Sequence, residues 1–389
     1  MIYLWEETML ILLLLIGVLV AVLIFTKKIN YLYTLVFTLF IVYFISNPSL
    51  CIESALMGLR LFIKAVFPTL FPFLTFCNLL IFYDGITLYS NIIGPIICTP
   101  LRLSKQCSLP LTISFLCGYP LGAKYSTELL EGGYISQEEY LRLINIASNI
   151  GPLFIIGSFA TTMLGNSYFG YLLLIANYLS CFIMSILIKP AITRDSNIPI
   201  TISKRTNLGE ALKKSLEDAT KTCITVAGFI VLFSVITYVI KNNIMYTHII
   251  LYISKVLKID KGLINSIALG MIETTNGSYL LSITTGSIRI RLSLASFLFS
   301  FSGFSVIAQV HSFTYKHKFF NLTRYTLRKL VQGIVSFAIS YIVFTVAFIS
   351  NAVINIPSYW NINLYFVPML IIMVLSLIAY VMSFLFNRS

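Results

Sequence analysis

Charge is what this sequence has least of. Only 11% of its 389 residues are Asp, Glu, Lys or Arg, against 58% hydrophobic ones, and the mean hydropathy is +0.91. A soluble domain of this length needs a far more polar surface, so the apolar excess must face lipid. Histidine is nearly absent: His248, His311 and His317 are the full complement, and they lack metal-ligand spacing. No Cys-x-x-Cys pair occurs. The seven cysteines, at 51, 77, 98, 107, 117, 181 and 223, are scattered through mostly apolar stretches and read as small buried residues, not as a disulfide or zinc framework. Neither His-Glu-x-x-His, Gly-x-Ser-x-Gly nor the Gly-x-x-x-x-Gly-Lys phosphate loop is present, which argues against a zinc protease or an ATP-driven pump. Converging catalytic groups are lacking, so the chain is expected not to be an enzyme. The alternating pattern of an outer-membrane barrel is also missing.

What the sequence does have is apolar runs of the roughly 20 residues that a helix needs to cross a bilayer. Backbone groups in lipid must pair internally, so these runs are expected to be helices of an all-α polytopic membrane protein. The net charge of +13 falls in loops between the runs, as topology-setting charge does, and does not point to nucleic acid. Glu6 and Glu7 precede the run 9–26 and Lys27 and Lys28 follow it, the reverse of a cleaved signal, so this run is expected to be a retained helix with its N-terminus outside. Charge bias then gives a path of nine crossings: 9–26, 31–47, 65–83, 143–164, 168–188, 222–240, 293–311, 331–350 and 364–386, with the C-terminus cytoplasmic. The amphipathic stretch 50–64 lies at the outer interface. One basic loop covers 189–221, and a second holds Lys316, Lys318, Arg324, Arg328 and Lys329. In domain terms, two N-terminal helices (1–47) precede a first repeat (50–188). The basic loop leads to a second, inverted repeat (222–350) and a C-terminal helix within 351–389.

Two segments are not ordinary crossings. Residues 107–130 carry Gly118-Tyr119-Pro120 at their centre, and residues 263–288 carry Glu273-Thr274-Thr275-Asn276-Gly277. Each is an apolar arm, a polar breaker and a second arm too short to cross, so both are expected to be re-entrant hairpins. The halves also repeat: SNIGPLFIIG (148–157) aligns with SFSGFSVIAQ (300–309), and Gly122, Gly133 and Gly151 have counterparts at Gly277, Gly286 and Gly303. Inverted repeats with interrupted segments at matching positions point to a secondary transporter of a small solute.

The candidate binding residues follow from these interruptions. Glu273 is a carboxylate at membrane depth, where insertion costs roughly 2.5–3.5 kcal/mol. It reads as a proton, cation or solute site, or else as a structural partner at the hairpin tip. Thr274, Thr275 and Asn276 surround it with donors and acceptors, or serve as hairpin caps. Lys124, beyond Gly118-Tyr119-Pro120, suits an anionic solute, or snorkels to the interface. Asn145, Ser148 and Asn149 share a polar helix face that Gly151-Pro152 breaks, and Ser300 and Ser302 offer a matching set before Gly303; the alternative is helix glue. Arg289 and Arg291 read as headgroup anchors.

Four stretches carry a family likeness: FPTLFPFL (67–74), CGYPLGAKYSTELLEGG (117–133), ASNIGPLFIIGSF (147–159) and ETTNG (273–277). They resemble the YlbJ/SpoVV sporulation integral membrane proteins, which carry two Gate (nucleoside-recognition) domains like those of concentrative nucleoside transporters. The resemblance spans about residues 50–350 and implies two hairpins and two broken helices around a midplane site. It also implies movement of dipicolinate across the outer forespore membrane, with roles for Gly118, Tyr119, Pro120, Lys124, Asn149 and Glu273. A proton coupled at Glu273 would reconcile that carboxylate with a dianionic solute; whether H+ or Na+ is coupled is left open by the sequence, and no cofactor is expected. Expected partners are therefore a small solute and lipid, with an oligomer of this chain left open. The alternatives are a non-transporting scaffold of the sporulation apparatus or a nucleoside-type transporter.

Overall fold

The computed structural model describes residues 29–83, 85–92, 94–188 and 207–349, and every regular element among them is a helix. The described residues fall into two compact units divided between Leu56 and Met57. In the first, the apolar helix α1 (Ile29–Ser46) stops at Asn47, where Pro48 opens α2 (Pro48–Leu61). Proline is favoured at a first helical position because its missing N–H would be unpaired there anyway. The helices 30–46 and 48–64 are bent from each other by 105°. Residues 48–64 therefore do not prolong the preceding helix, as the interfacial reading of 50–64 requires.

In the second unit, α3 (Phe67–Phe82), α4 (Gly85–Ile92) and α5 (Gly94–Ile97) lead to a helical hairpin, α6 (Ser108–Cys117) and α7 (Leu121–Glu131). Next come α8 (Gln137–Ile146), a non-helical stretch at 147–151, a π-helix over Leu153–Met163 and α9 (Ser167–Leu187). The order then recurs. Helices α10 (Leu208–Lys241) and α11 (Ile244–Leu257) lead to the hairpin α12 (Lys261–Ile272) and α13 (Thr274–Ile283). A helix broken at Ser302, α14 (Ile288–Phe301) and α15 (Gly303–Thr314), is closed by α16 (Leu322–Ile349). Each hairpin's second arm ends near a glycine of positive φ, Gly133 at +74° and Gly286 at +118°, as the sequence alignment pairs them.

The second unit is held by helix-on-helix packing. The closing helices α9 and α16 pack together, α14 lies against α16, and the π-helix lies against α9. The hairpins exchange partners: α7 packs on α15 of the second half, and α13 packs on the π-helix of the first. Local sequence sets the helix starts. Ser136 accepts the Glu139 N–H, Asn166 accepts that of Tyr168, Asn207 that of Gly209 and Asp260 that of Leu263, each pairing one of the N–H groups a helix start leaves open. The π-helix is supported by hydroxyls reaching back five residues, Thr161 to Ile156 O at 2.6 Å and Thr162 to Gly157 O at 2.9 Å.

Several expected crossings take a different form. Among the described residues four helices are long and apolar enough to span a membrane: Ser167–Leu187, Leu208–Lys241, Ile288–Thr314 and Leu322–Phe348; the bent pair 30–46 and 48–64 would add a fifth only if both arms counted as one span. The run 143–164 is two helical pieces around a gap, because Gly151 and Pro152 interrupt it. The stretch 189–221 is not all loop. From Leu208 onward it is the start of α10, stabilised by i,i+4 pairs of Lys214 with Glu210 (2.6 Å) and Lys213 with Glu217 (3.9 Å). Likewise Arg324, Arg328 and Lys329 lie on α16 and not in a loop. Runs 9–26 and 364–386, the segment 351–363 and most of the first basic loop lie outside the described residues.

Glycine geometry at the first hairpin is testable. Gly118 has φ +87°, and a Cβ there would run into the backbone of Gly151 and Ile150, whereas Gly133, at φ +74°, has open space around it. Gly118→Ala is expected to lower stability by about 3 kcal/mol, combining strain and overpacking. Gly133→Ala should cost about 1 kcal/mol from backbone strain alone, with both read by thermal unfolding in detergent.

Candidate functional site

The first hairpin tip is seated on the first helix break, backbone to backbone. Helix α6 ends at Cys117, Gly118 turns the chain, and α7 begins after a cis Tyr119–Pro120 bond. The Tyr119 N–H donates to Asn149 O at 2.6 Å, and the Asn149 N–H reaches Ser114 Oγ at 3.3 Å. Close approach is what the glycines provide: a Cβ on Gly122 would overlap Ala147 O, and one on Gly151 would lie 2.6 Å from Cys117 O. From the other side, α16 reaches the same break. Ser148 shares a 2.6 Å hydrogen bond with the Tyr325 hydroxyl, Lys329 Nζ donates to Ser148 O at 2.6 Å and to Gln332 Oε1 at 2.8 Å, and Gln332 Nε2 reaches Asn149 Oδ1 at 3.4 Å.

The second hairpin tip is built differently. Glu273 is buried and caps α13, its two carboxylate oxygens accepting the Thr275 N–H at 3.0 Å and the Asn276 N–H at 2.8 Å. The start of a helix carries partial positive charge, so a carboxylate is favourable there. Thr274 Oγ1 donates to Ser302 O at 2.8 Å, the carbonyl at the second break. Ser302 and Gly303 both take positive φ, +79° and +73°, and a Cβ on Gly303 would sit 2.8 Å from Thr274 Oγ1. The hairpin's arms meet at Gly270 and Gly277, where an added Cβ on Gly277 would lie 2.9 Å from Gly270 N.

The two tips lie side by side: the Tyr119 side chain is near Thr274, Glu273 and Tyr325. Of the sequence candidates, this brings together Gly118, Tyr119, Pro120, Ser148, Asn149, Glu273, Thr274, Thr275, Asn276 and Ser302. Asn145 lies one turn before the break; its Nδ2 donates to Leu141 O at 2.7 Å. Asn145 Oδ1 and Ser302 Oγ are two of several buried polar atoms that find no hydrogen-bond partner among the described residues.

Two binding candidates, Lys124 and Ser300, sit elsewhere, and both arginines expected at headgroups are engaged inside the protein. Lys124 is not at the tip but on the flank of α7, buried to 9% exposure. Its ammonium pairs with Glu128 at 3.0 Å, reaches Asn78 Oδ1 at 3.4 Å and lies 4.5 Å from the centre of the Tyr125 ring. It is a partly screened cation already holding a carboxylate. Ser300 joins Asn177 (2.7 Å) and Ser180 (3.3 Å) between α14 and α9, the arrangement expected of helix glue. Arg291 is not a headgroup anchor: its guanidinium caps the end of α13 through Leu281 O, Ser282 O and Thr284 O at 2.8–3.2 Å. Arg289 bonds Thr345 Oγ1 at 3.2 Å and lies over Tyr341.

Sequence reading missed Tyr325, Lys329 and Gln332. Lys329 looks like one more member of a basic cluster. The local sign that this face of α16 turns inward is the polar stripe Gln332, Ser336 and Ser340 that follows Lys329 at helical spacing, all of it buried.

Contact between the tips is expected to appear as coupling. In a double-mutant cycle, Tyr119→Phe and Thr274→Val should interact by about 1 kcal/mol in unfolding experiments, while Thr274→Ser, which keeps the hydroxyl, retains most of that term. Strict additivity of the first pair would show that the tips are independent.

No family model matches the chain. A structure of the concentrative nucleoside transporter CNTnw in an inward-facing substrate-bound state covers 72% of this chain and 75% of its own, at 15% identity and a TM-score of 0.47. The sequence is also 28% identical over 309 residues, 73% of this chain and 76% of the relative, to the sporulation integral membrane protein YlbJ of Bacillus subtilis (strain 168). The likeness read from the hairpin and break motifs is thereby borne out: this chain is similar to a sporulation integral membrane protein, and its helices are those of an integral membrane protein.

Proposed function

We propose that the chain is a secondary transporter or facilitator of a small polar solute, working by movement of its hairpins against the helices that bear them. The observation that carries this reading is the seating of each hairpin tip on a helix break, the Tyr119 N–H on Asn149 O and the Thr274 hydroxyl on Ser302 O. Discontinuous helices near the middle of a membrane protein supply free backbone groups for a solute, and irregular backbone is tolerated there only inside protein or beside water. Asn145 Oδ1 and Ser302 Oγ, buried and without a partner among the described residues, are acceptors that a solute's hydroxyl, amide or protonated acid would satisfy.

The solute class we propose is a small aromatic dicarboxylate, dipicolinate by the family resemblance, taken up in connection with sporulation. The Tyr119 ring and the N–H groups at the hairpin tips supply flat apolar contact and charge-assisted hydrogen bonds. Lys124 contributes if its pairing with Glu128 opens. Glu273 beside a dianion calls for a proton or a cation, so coupling at Glu273 belongs to the same proposal. No catalytic role is proposed for any of these groups.

A second reading has one observation in its favour. Lys124 and Glu273, the two charged candidates, are both satisfied inside the protein, by Glu128 and by the α13 N–H groups, as a static scaffold of a sporulation complex would have them. Uptake separates the two. In proteoliposomes, radiolabelled dipicolinate is expected to enter faster than a nucleoside. Glu273→Gln and Lys124→Ala should each cut the rate about tenfold or more, with normal accumulation of the protein. Unchanged function in both variants favours the scaffold, and an unaltered pH profile in Glu273→Gln removes the coupling role from that residue.

A further inference from the structure

The first helix break is held by a cation that is part of the chain. Lys329 lies on α16 at 1% exposure. Two of its three N–H bonds are directed at Ser148 O and Gln332 Oε1, at 2.6 and 2.8 Å. Gln332 continues the contact to Asn149 Oδ1 at 3.4 Å, and the Tyr119 N–H takes Asn149 O. One ammonium thus anchors, directly or through one amide, both polar residues of the break on which the first hairpin rests. Among the described residues the carboxylate ion pairs go to other cations, Lys124, Lys213, Lys214 and His317. Lys329 is therefore solvated by neutral oxygens. That is an unusual environment for a buried ammonium, which is costly at depth unless such oxygens replace water.

A carbonyl freed by an unwound helix and a side-chain amide oxygen are the donor types with which discontinuous transmembrane helices hold Na+. Among the described residues the second break has no such cation: Ser302 O is taken by the neutral Thr274 hydroxyl. We propose that the Lys329 ammonium is a tethered cation that does at the first break what a bound Na+ would otherwise do, fixing Ser148, Asn149 and the seated hairpin tip. The transport cycle proposed above then runs without Na+. That consequence rests on the transport reading, whereas the ordering role of Lys329 does not.

Two measurements on the full-length protein separate these parts. Thermal unfolding in detergent is compared in NaCl and in choline chloride of equal ionic strength, and solute uptake into proteoliposomes is compared in the same two salts. The wild type is expected to show the same midpoint and the same rate in both. Lys329→Met, which keeps the length and loses the charge, should unfold at least about 4 °C lower and transport about tenfold more slowly. Lys329→Ala should recover part of its midpoint in NaCl or methylammonium chloride but not in choline chloride. A wild-type midpoint or rate that rises in Na+ overturns the proposal, as does a Lys329→Met protein indistinguishable from wild type. If neither Lys329 variant accumulates, the wild-type salt comparison decides alone. If no solute is transported at all, the transport reading fails, and the unfolding comparison still decides the role of Lys329.

Discussion

The structure depends on one constraint: a carbonyl released by a broken helix at membrane depth must find its hydrogen bond inside the protein, because lipid offers none. Both breaks meet it through a hairpin tip of their own half. Asn149 O is taken by the Tyr119 N–H, and Ser302 O by the Thr274 hydroxyl. Hairpin and break are for that reason one mechanical unit, since withdrawing a tip exposes a carbonyl that only water or a solute can then satisfy. Tyr119 and Thr274 lie near one another where the two junctions approach, so under the transport reading proposed above the same few residues govern stability and access.

The two halves reach this solution by different chemistry. In the first, glycines at 118, 122 and 151 let backbone touch backbone, and a buried ammonium reinforces the junction from α16. In the second, the glycine contact lies between the hairpin's own arms at Gly270 and Gly277, and the tip relies on side chains, the Thr274 hydroxyl and the Glu273 carboxylate that caps α13. Opposite formal charges thereby stand on the two sides of the tip contact. This asymmetry, on a repeated order of elements, suits a device whose two halves do unequal work.

Much of the positive charge is spent within the structure instead of at a membrane surface. Arg142 is buried and donates to Leu101 O, Ser185 O and Ile188 O, tying the end of α9 to the loop before the first hairpin. Arg291 closes α13 in the same manner. Guanidinium groups suit this task because several N–H bonds diverge from one plane onto the carbonyls a helix end leaves open. The +13 of the sequence is thus partly a topology signal and partly a set of internal clamps.

The amino-acid sequence by itself determined the helical class, the two hairpins, the breaks near Gly151 and Gly303 and the repeat that relates them. These features are local: an apolar run interrupted by Gly, Pro or a polar cluster has few other ways to satisfy its backbone in lipid. It also singled out Tyr119, Asn149, Glu273, Thr274 and Ser302, because their positions follow from the interruptions. Only the tertiary structure decided which charges are already paired. That Lys124 reaches Asn78, that Arg291 caps a helix, that Ser300 belongs to a helix seam and that Lys329 turns inward onto Ser148 all depend on which helix face meets which neighbour. For Lys329 that neighbour is 181 residues away along the chain, a distance over which charge pattern and periodicity carry no information.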